Sequence, residues 1–170
     1  GLLIDGDYFE LPASEEIGIG IFGNENVGGL FGHADHSKIS GCDKFITSAN
    51  VIANRVSAGG MVGLLSSTVL NVGSKSFVDD ILKVSGNQYV GGLVGKVNGN
   101  VSFIDALSGA VDQREACNYM TISSQGAHVG GLFGYIKDDF VFSEQSTSQK
   151  LYNAQTVTGT GDYVGGFMGS

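Results

Sequence analysis

A short phrase recurs five times along the chain, and it constrains the fold more than any other feature. The copies are VGGLFG at 27–32, AGGMVG at 58–63, VGGLVG at 90–95, VGGLFG at 129–134 and VGGFMG at 164–169. The shared pattern is a small or apolar residue, two glycines, a large apolar residue, an apolar residue and a third glycine. The first glycine of each pair falls at Gly28, Gly59, Gly91, Gly130 and Gly165, giving intervals of 31, 32, 39 and 35 residues. One copy would carry no information, whereas five at similar spacing identify a repeat architecture.

Helical repeats of this period exist, but a glycine inside a helix costs about 1 kcal/mol, and no helix would place three in its most regular segment. Between the phrases lie short β-branched or alternating runs: KFITSANVI (44–52), STVLNV (67–72), VSFIDAL (101–107), YMTISS (119–124) and FVFSEQ (140–145). Clusters of Gly, Asn, Asp and Ser separate them, as turns separate strands. The expected unit is three strands joined by turns. SFVDDILKV (76–84) fits a short amphipathic helix as well as a strand.

A unit of three short strands has no core of its own, so the units must stack. The expected fold is all-β, a parallel β-helix (β-solenoid) of about five coils of 31–39 residues with an irregular N-terminal cap. Residues 1–26 form the acidic cap or junction and residues 27–170 the repeat region. Stacking should bring each glycine over its copy, at positions that need positive φ or close backbone approach. Leu30, Met61, Leu93, Leu132 and Phe167 should form an inward ladder, with Phe31, Val62, Val94, Phe133 and Met168 on the opposite face or around a corner.

Composition agrees with this reading. Glycine makes up 28 of 170 residues, more than twice the usual ~7%, and proline occurs once, at Pro12. No apolar run approaches the ~18 residues of a membrane-spanning helix, so no membrane insertion is expected. The net charge of −8 is concentrated in residues 1–37, which hold seven acids and no Lys or Arg. An acidic chain with dispersed bases argues against nucleic acid and against anionic lipid surfaces. The chain has no initiator Met and no signal peptide, the expectation for a processed or excised piece.

The phrase YVGGLVG (89–95) and its copies resemble the GLUG motif, a G-L-x-G signature with a preceding glycine. That motif occurs in tandem in bacterial surface proteins, in large secreted adhesins and outside the catalytic domain of IgA-specific metallopeptidases. The resemblance spans residues 27–169, with Met61 and Phe167 where the family usually has Leu. It implies a bacterial, exported, surface-exposed β-helical stalk, hence an extracellular location and protein or glycan surface ligands.

Several patterns resemble chemical sites. GIGIFG (18–23) followed by Asp43 has the spacing of a dinucleotide-binding turn, but that turn must open a helix, and NENVGGLFG follows instead. GIFG (20–23) reads better as a partial echo of GLFG (29–32). VGGLVGK (90–96) lacks the glycine spacing of a phosphate loop and has no Ser or Thr after Lys96. HADH (33–36) brings His33, Asp35 and His36 together without the fourth ligand of a stable zinc site. His128 takes the place before the phrase held by Tyr89 and Tyr163, where it should cover a strand edge. Asp79 with Asp80, and Asp138 with Asp139, would point to opposite sides of an extended chain. Cys42 and Cys117, 75 residues apart, read as two buried free thiols.

No catalytic, cofactor-binding or metal residue is therefore assigned, no cofactor is expected, and the chain is read as not an enzyme. The leading function is a structural or adhesive segment of an exported surface protein, with GAVDQREACN (109–118) as a protruding loop that could make contacts. The alternatives are a self-assembling fibre or matrix subunit associating through the solenoid ends, an accessory region of a secreted peptidase, and a carbohydrate-active β-helix enzyme.

Overall fold

The computed structural model describes residues 2–6, 9–10, 20–42, 45–47, 49–71, 74–76, 82–99, 101–103, 115–137, 140–142 and 150–170. Within them the chain is all-β, with no helix. The strands come in sets that repeat with the phrase. The first set is β1 (Leu2–Gly6), β2 (Phe9–Glu10), β3 (Gly20–Gly23), β4 (Val27–Gly28) and β5 (Phe31–Asp35). The second is β6 (Lys38–Cys42), β7 (Phe45–Thr47), β8 (Asn50–Ala53), β9 (Ser57–Gly59) and β10 (Val62–Ser66). Then come β11 (Val69–Asn71), β12 (Ser74–Ser76), β13 (Lys83–Gly86), β14 (Tyr89–Gly91) and β15 (Val94–Asn98). The fourth set is β16 (Val101–Phe103), β17 (Glu115–Asn118), β18 (Thr121–Ser124), β19 (Val129–Gly130) and β20 (Phe133–Ile136). The last contains β21 (Phe140–Phe142), β22 (Lys150–Asn153), β23 (Val157–Gly159) and β24 (Val164–Gly165).

Each strand from β1 to β19 pairs in parallel with the strand five places on, giving five sheets. The first runs β1-β6-β11-β16-β21, the second β2-β7-β12-β17-β22 and the third β3-β8-β13-β18-β23. The fourth is β4-β9-β14-β19-β24 and the fifth β5-β10-β15-β20, which Met168 extends by a single bridge to Phe133. The repeat thus carries five short strands where the sequence pointed to three. KFITSANVI shows why: it reads as one run, yet Phe45–Thr47 joins the second sheet and Asn50–Ala53 the third. A bend between them leaves the β-branched composition unchanged.

Residues 1–26, expected as an irregular cap, contribute β1, β2 and β3, which pair with β6, β7 and β8 as later strands do. Pairing therefore begins ahead of the first phrase. GIFG is no echo of GLFG: it aligns with Asn50–Ala53 in the third sheet, while Phe31 and Gly32 belong to the fifth. In SFVDDILKV, residues 77–81 lie outside the described residues; Ser76 ends β12 and Lys83 opens β13.

The phrase itself bends. Its first glycine ends a strand of the fourth sheet, and its fifth residue opens a strand of the fifth sheet. Gly28, Gly59, Gly91, Gly130 and Gly165 stand in register as expected. The cause is close approach and not positive φ, because Gly99 alone among the described glycines has a left-handed φ. A Cβ on Gly91 would strike the carbonyl of Val94 across the bend, and one on Gly92 would strike Gly131 O and the side chain of Asn118.

The core forms two clusters. In one, the third sheet contributes Val51, Val84 and Ile122, fully buried and in register, which pack with Ala58, Val90 and Val129 of the fourth sheet. The other contains Met61, Leu93 and Leu132. These form the expected ladder through backbone bonds, Met61 N to Leu93 O (2.9 Å) and Leu93 N to Leu132 O (2.9 Å). Val62, Val94 and Phe133 share that cluster and are fully buried. The bend turns neighbours in sequence toward one interior, so no outside layer is needed to cover them.

A hydroxyl-lined groove and a ring column

Strand alternation puts Val51, Val84 and Ile122 inside, and it therefore places Ile52, Ser85, Ser123 and Thr158 together on the outer face of the third sheet. A groove of about 540 Å³ lies over this row. Beyond the strand ends its wall continues through Asn54, Asn87, Gln125 and Thr160, and Lys83 stands at the other side. Hydrogen bonds tie the turn residues to one another: Asn87 Nδ2 donates to Asn54 O (2.8 Å) and Thr160 Oγ1 to Gln125 O (2.6 Å). Lys83 is held at its backbone, where its N–H donates to Asn50 Oδ1 (2.9 Å). Among the described residues the lining holds hydroxyls, amides and one ammonium group, with no carboxylate and no aromatic ring. Such a surface can donate and accept hydrogen bonds.

A second outward feature flanks the phrase. The His128 ring stacks on Tyr163 (4.8 Å between centroids, 11° between planes) and lies 5.2 Å from Tyr89. His128 therefore sits inside a column and does not cover an edge. Tyr135, which follows the fourth phrase, closes on it from the side, 5.1 Å from Tyr89 and 4.9 Å from His128. Lys96 Nζ lies 4.6 Å from the centre of the Tyr89 ring, a cation–π contact. Burial lowers the His128 pKa, and the Lys96 ammonium lowers it further. His128 Nδ1 is within hydrogen-bond distance of Ser170 Oγ (2.6 Å).

The other residues singled out from sequence do not converge. His33 Nε2 is 3.1 Å from Ser66 Oγ, whereas His36 Nδ1 is 2.8 Å from Asp35 Oδ1, on the neighbouring residue. Among the described residues no three His, Cys, Asp or Glu are grouped to hold a metal. Lys96 occupies a ladder position filled by Leu64 and Tyr135 in adjacent strands. Cys42 is in the first sheet and Cys117 in the second; their side chains lie outside the described residues, as do Asp79, Asp80, Asp138 and Asp139.

Residues 115–118 of the expected protruding loop form β17 and pair with β12 and β22. The other residues of that segment, 109–114, lie outside the described residues. The sequence reading missed the groove, although a signal was present: VIAN, VSGN, ISSQ and VTGT precede successive phrases. Each alternates an apolar residue with an outward one that is polar in three of the four. Comparison with known proteins adds no relative: no family model, no curated protein and no solved structure matches the chain.

Proposed function

We propose that the chain is a non-catalytic, adhesive segment of an exported bacterial surface protein, wound as a parallel β-solenoid of about five coils of 31–39 residues. The observation that carries the reading is the pairing of each strand with the fifth strand after it, with the phrase glycines in register. One interior pattern is kept while the connections vary: two residues separate β11 from β12, and eleven separate β16 from β17. A scaffold of that kind tolerates changes in its outer residues, which suits presentation of a binding surface. The resemblance of the phrase to the GLUG motif supports an exported, bacterial setting.

The test is retention of beads coated with the purified chain on immobilised matrix proteins and glycans, with the ligand recovered and weighed by mass spectrometry. Retention with unaltered ligand is expected. Cleavage of the ligand, or no retention on any surface, overturns the reading.

A second reading, self-association, has its own observation. On the last strands Tyr163, Val164 and Met168 are exposed (59%, 45% and 43%), and Phe22 on β3, at the other edge of the third sheet, is 56% exposed. Light scattering over a hundredfold concentration range separates a fibre-forming subunit, whose mass rises, from a monomer.

A further inference from the structure

We infer that the groove over the third sheet is a binding site for an oligosaccharide that carries a carboxylate-bearing sugar. The inference rests on the adhesive reading and specifies its site and ligand class. A sugar ring offers hydroxyls that both donate and accept, and the groove meets them with groups of the same dual character. Ser85, Ser123 and Thr158 supply hydroxyls, Asn87 and Gln125 supply amides, and among the described residues no carboxylate lines the wall to exclude an anion. At about 540 Å³ the groove is within the range of small-ligand sites.

Register adds a geometric argument. Ser85, Ser123 and Thr158 lie opposite one another on adjacent parallel strands, so their hydroxyls recur at the strand spacing of about 4.8 Å. A chain of linked pyranose rings advances by a similar distance per ring and can present a hydroxyl to each successive strand. The half-buried Ile52 side chain extends the same row and offers an apolar surface to the C–H face of a ring.

Charge selects the kind of sugar. Among the described residues Lys83 is the one ionisable side chain of the lining; it is exposed, and no ion pair found among those residues engages it. The one charge on the groove wall among the described residues is positive, the complement of a bound carboxylate. The backbone N–H of Lys83, fixed by Asn50, sets where the side chain leaves the strand.

The experiment measures binding of fluorescent hyaluronan oligosaccharides, which alternate a uronate with an N-acetylhexosamine, and of uncharged N-acetylglucosamine oligomers, to the full chain. Lys83→Gln is expected to weaken hyaluronan binding about fivefold and to leave the uncharged oligomer unchanged. Ser123→Trp, outward-facing and checked by an unchanged melting temperature, should abolish both. Equal affinity of wild type and both variants for hyaluronan overturns the site, and equal loss of both oligomers in Lys83→Gln overturns the role of charge. Should Ser123→Trp lower the melting temperature, Thr158→Trp blocks the same row from the adjacent strand. If neither oligomer binds while coated beads are still retained on matrix, the groove assignment falls and the adhesive reading stands; if no bead is retained, both fall.

Discussion

Asn118 and Asn153, partners in register on β17 and β22, are joined side chain to side chain: Asn118 Nδ2 donates to Asn153 Oδ1 at 2.8 Å. Asn118 is fully buried, and it also donates to Met120 O (2.7 Å) and accepts from Met120 N (3.1 Å). Asn153 Nδ2 in turn donates to Gln155 O (2.6 Å). The amides close the turn into the third sheet and link one repeat to the next. Asn118→Ala would leave the backbone groups of Met120 buried without these partners. It should cost about 2–3 kcal/mol, read as a lower urea midpoint with an unchanged slope.

The same side chain bears on the second glycine of the third phrase, Gly92. A Cβ on Gly92 would fall against Asn118 and the carbonyl of Gly131, whereas one on Gly166 would meet nothing within 4 Å. Gly92→Ala should therefore destabilise by about 3 kcal/mol or more, through backbone that cannot move aside. Gly166→Ala should stay within about 0.5 kcal/mol. Chemical denaturation of the two variants side by side checks the contrast within one repeated motif.

Phe133 is fully buried and stands in register between Val94 and Met168, with the Phe167 ring 5.8 Å away. Phe133→Ala should cost about 3–5 kcal/mol by opening a cavity shared by two repeats. Phe22, 56% exposed on β3, should tolerate Ala with a change within about 0.5 kcal/mol. The difference is measured as melting temperatures at matched protein concentration.

His128 predicts a pH dependence. Burial, and then the Lys96 ammonium, hold its pKa below the usual histidine value of about 6.5, so the fold favours the neutral ring. Its contribution is complete above about pH 6.5 and is lost as the pH falls through the lowered folded value. Tyr89, Tyr135 and Tyr163 also face the ring. The melting temperature should decline as the pH is lowered below about 6.5, and His128→Phe, which keeps a stacking ring, should decline less.

Some of this was legible from residues alone. The five phrases identify which glycines and which apolar side chains are equivalent, because equivalent positions in stacked repeats face the same demands. The glycine columns and the Met61, Leu93 and Leu132 ladder follow from alignment. The number of strands per repeat does not: a bend inside a β-branched run, as between Thr47 and Asn50, leaves the composition of both sides the same.

Nor was the groove legible, since outward serines and threonines look like ordinary solvent-facing residues until register sets Ser85, Ser123 and Thr158 side by side. The ring column shows the same division. Tyr89, His128 and Tyr163 share a place before the phrase and are visibly equivalent, but Tyr135 and Lys96 come after it. Only the bend at the paired glycines brings the two sides together. The sequence by itself determined the stacking partners, because repetition is a property of the linear chain. Tertiary structure decided which neighbours meet across each bend, because that depends on the angle through which the backbone turns where glycine leaves room for it.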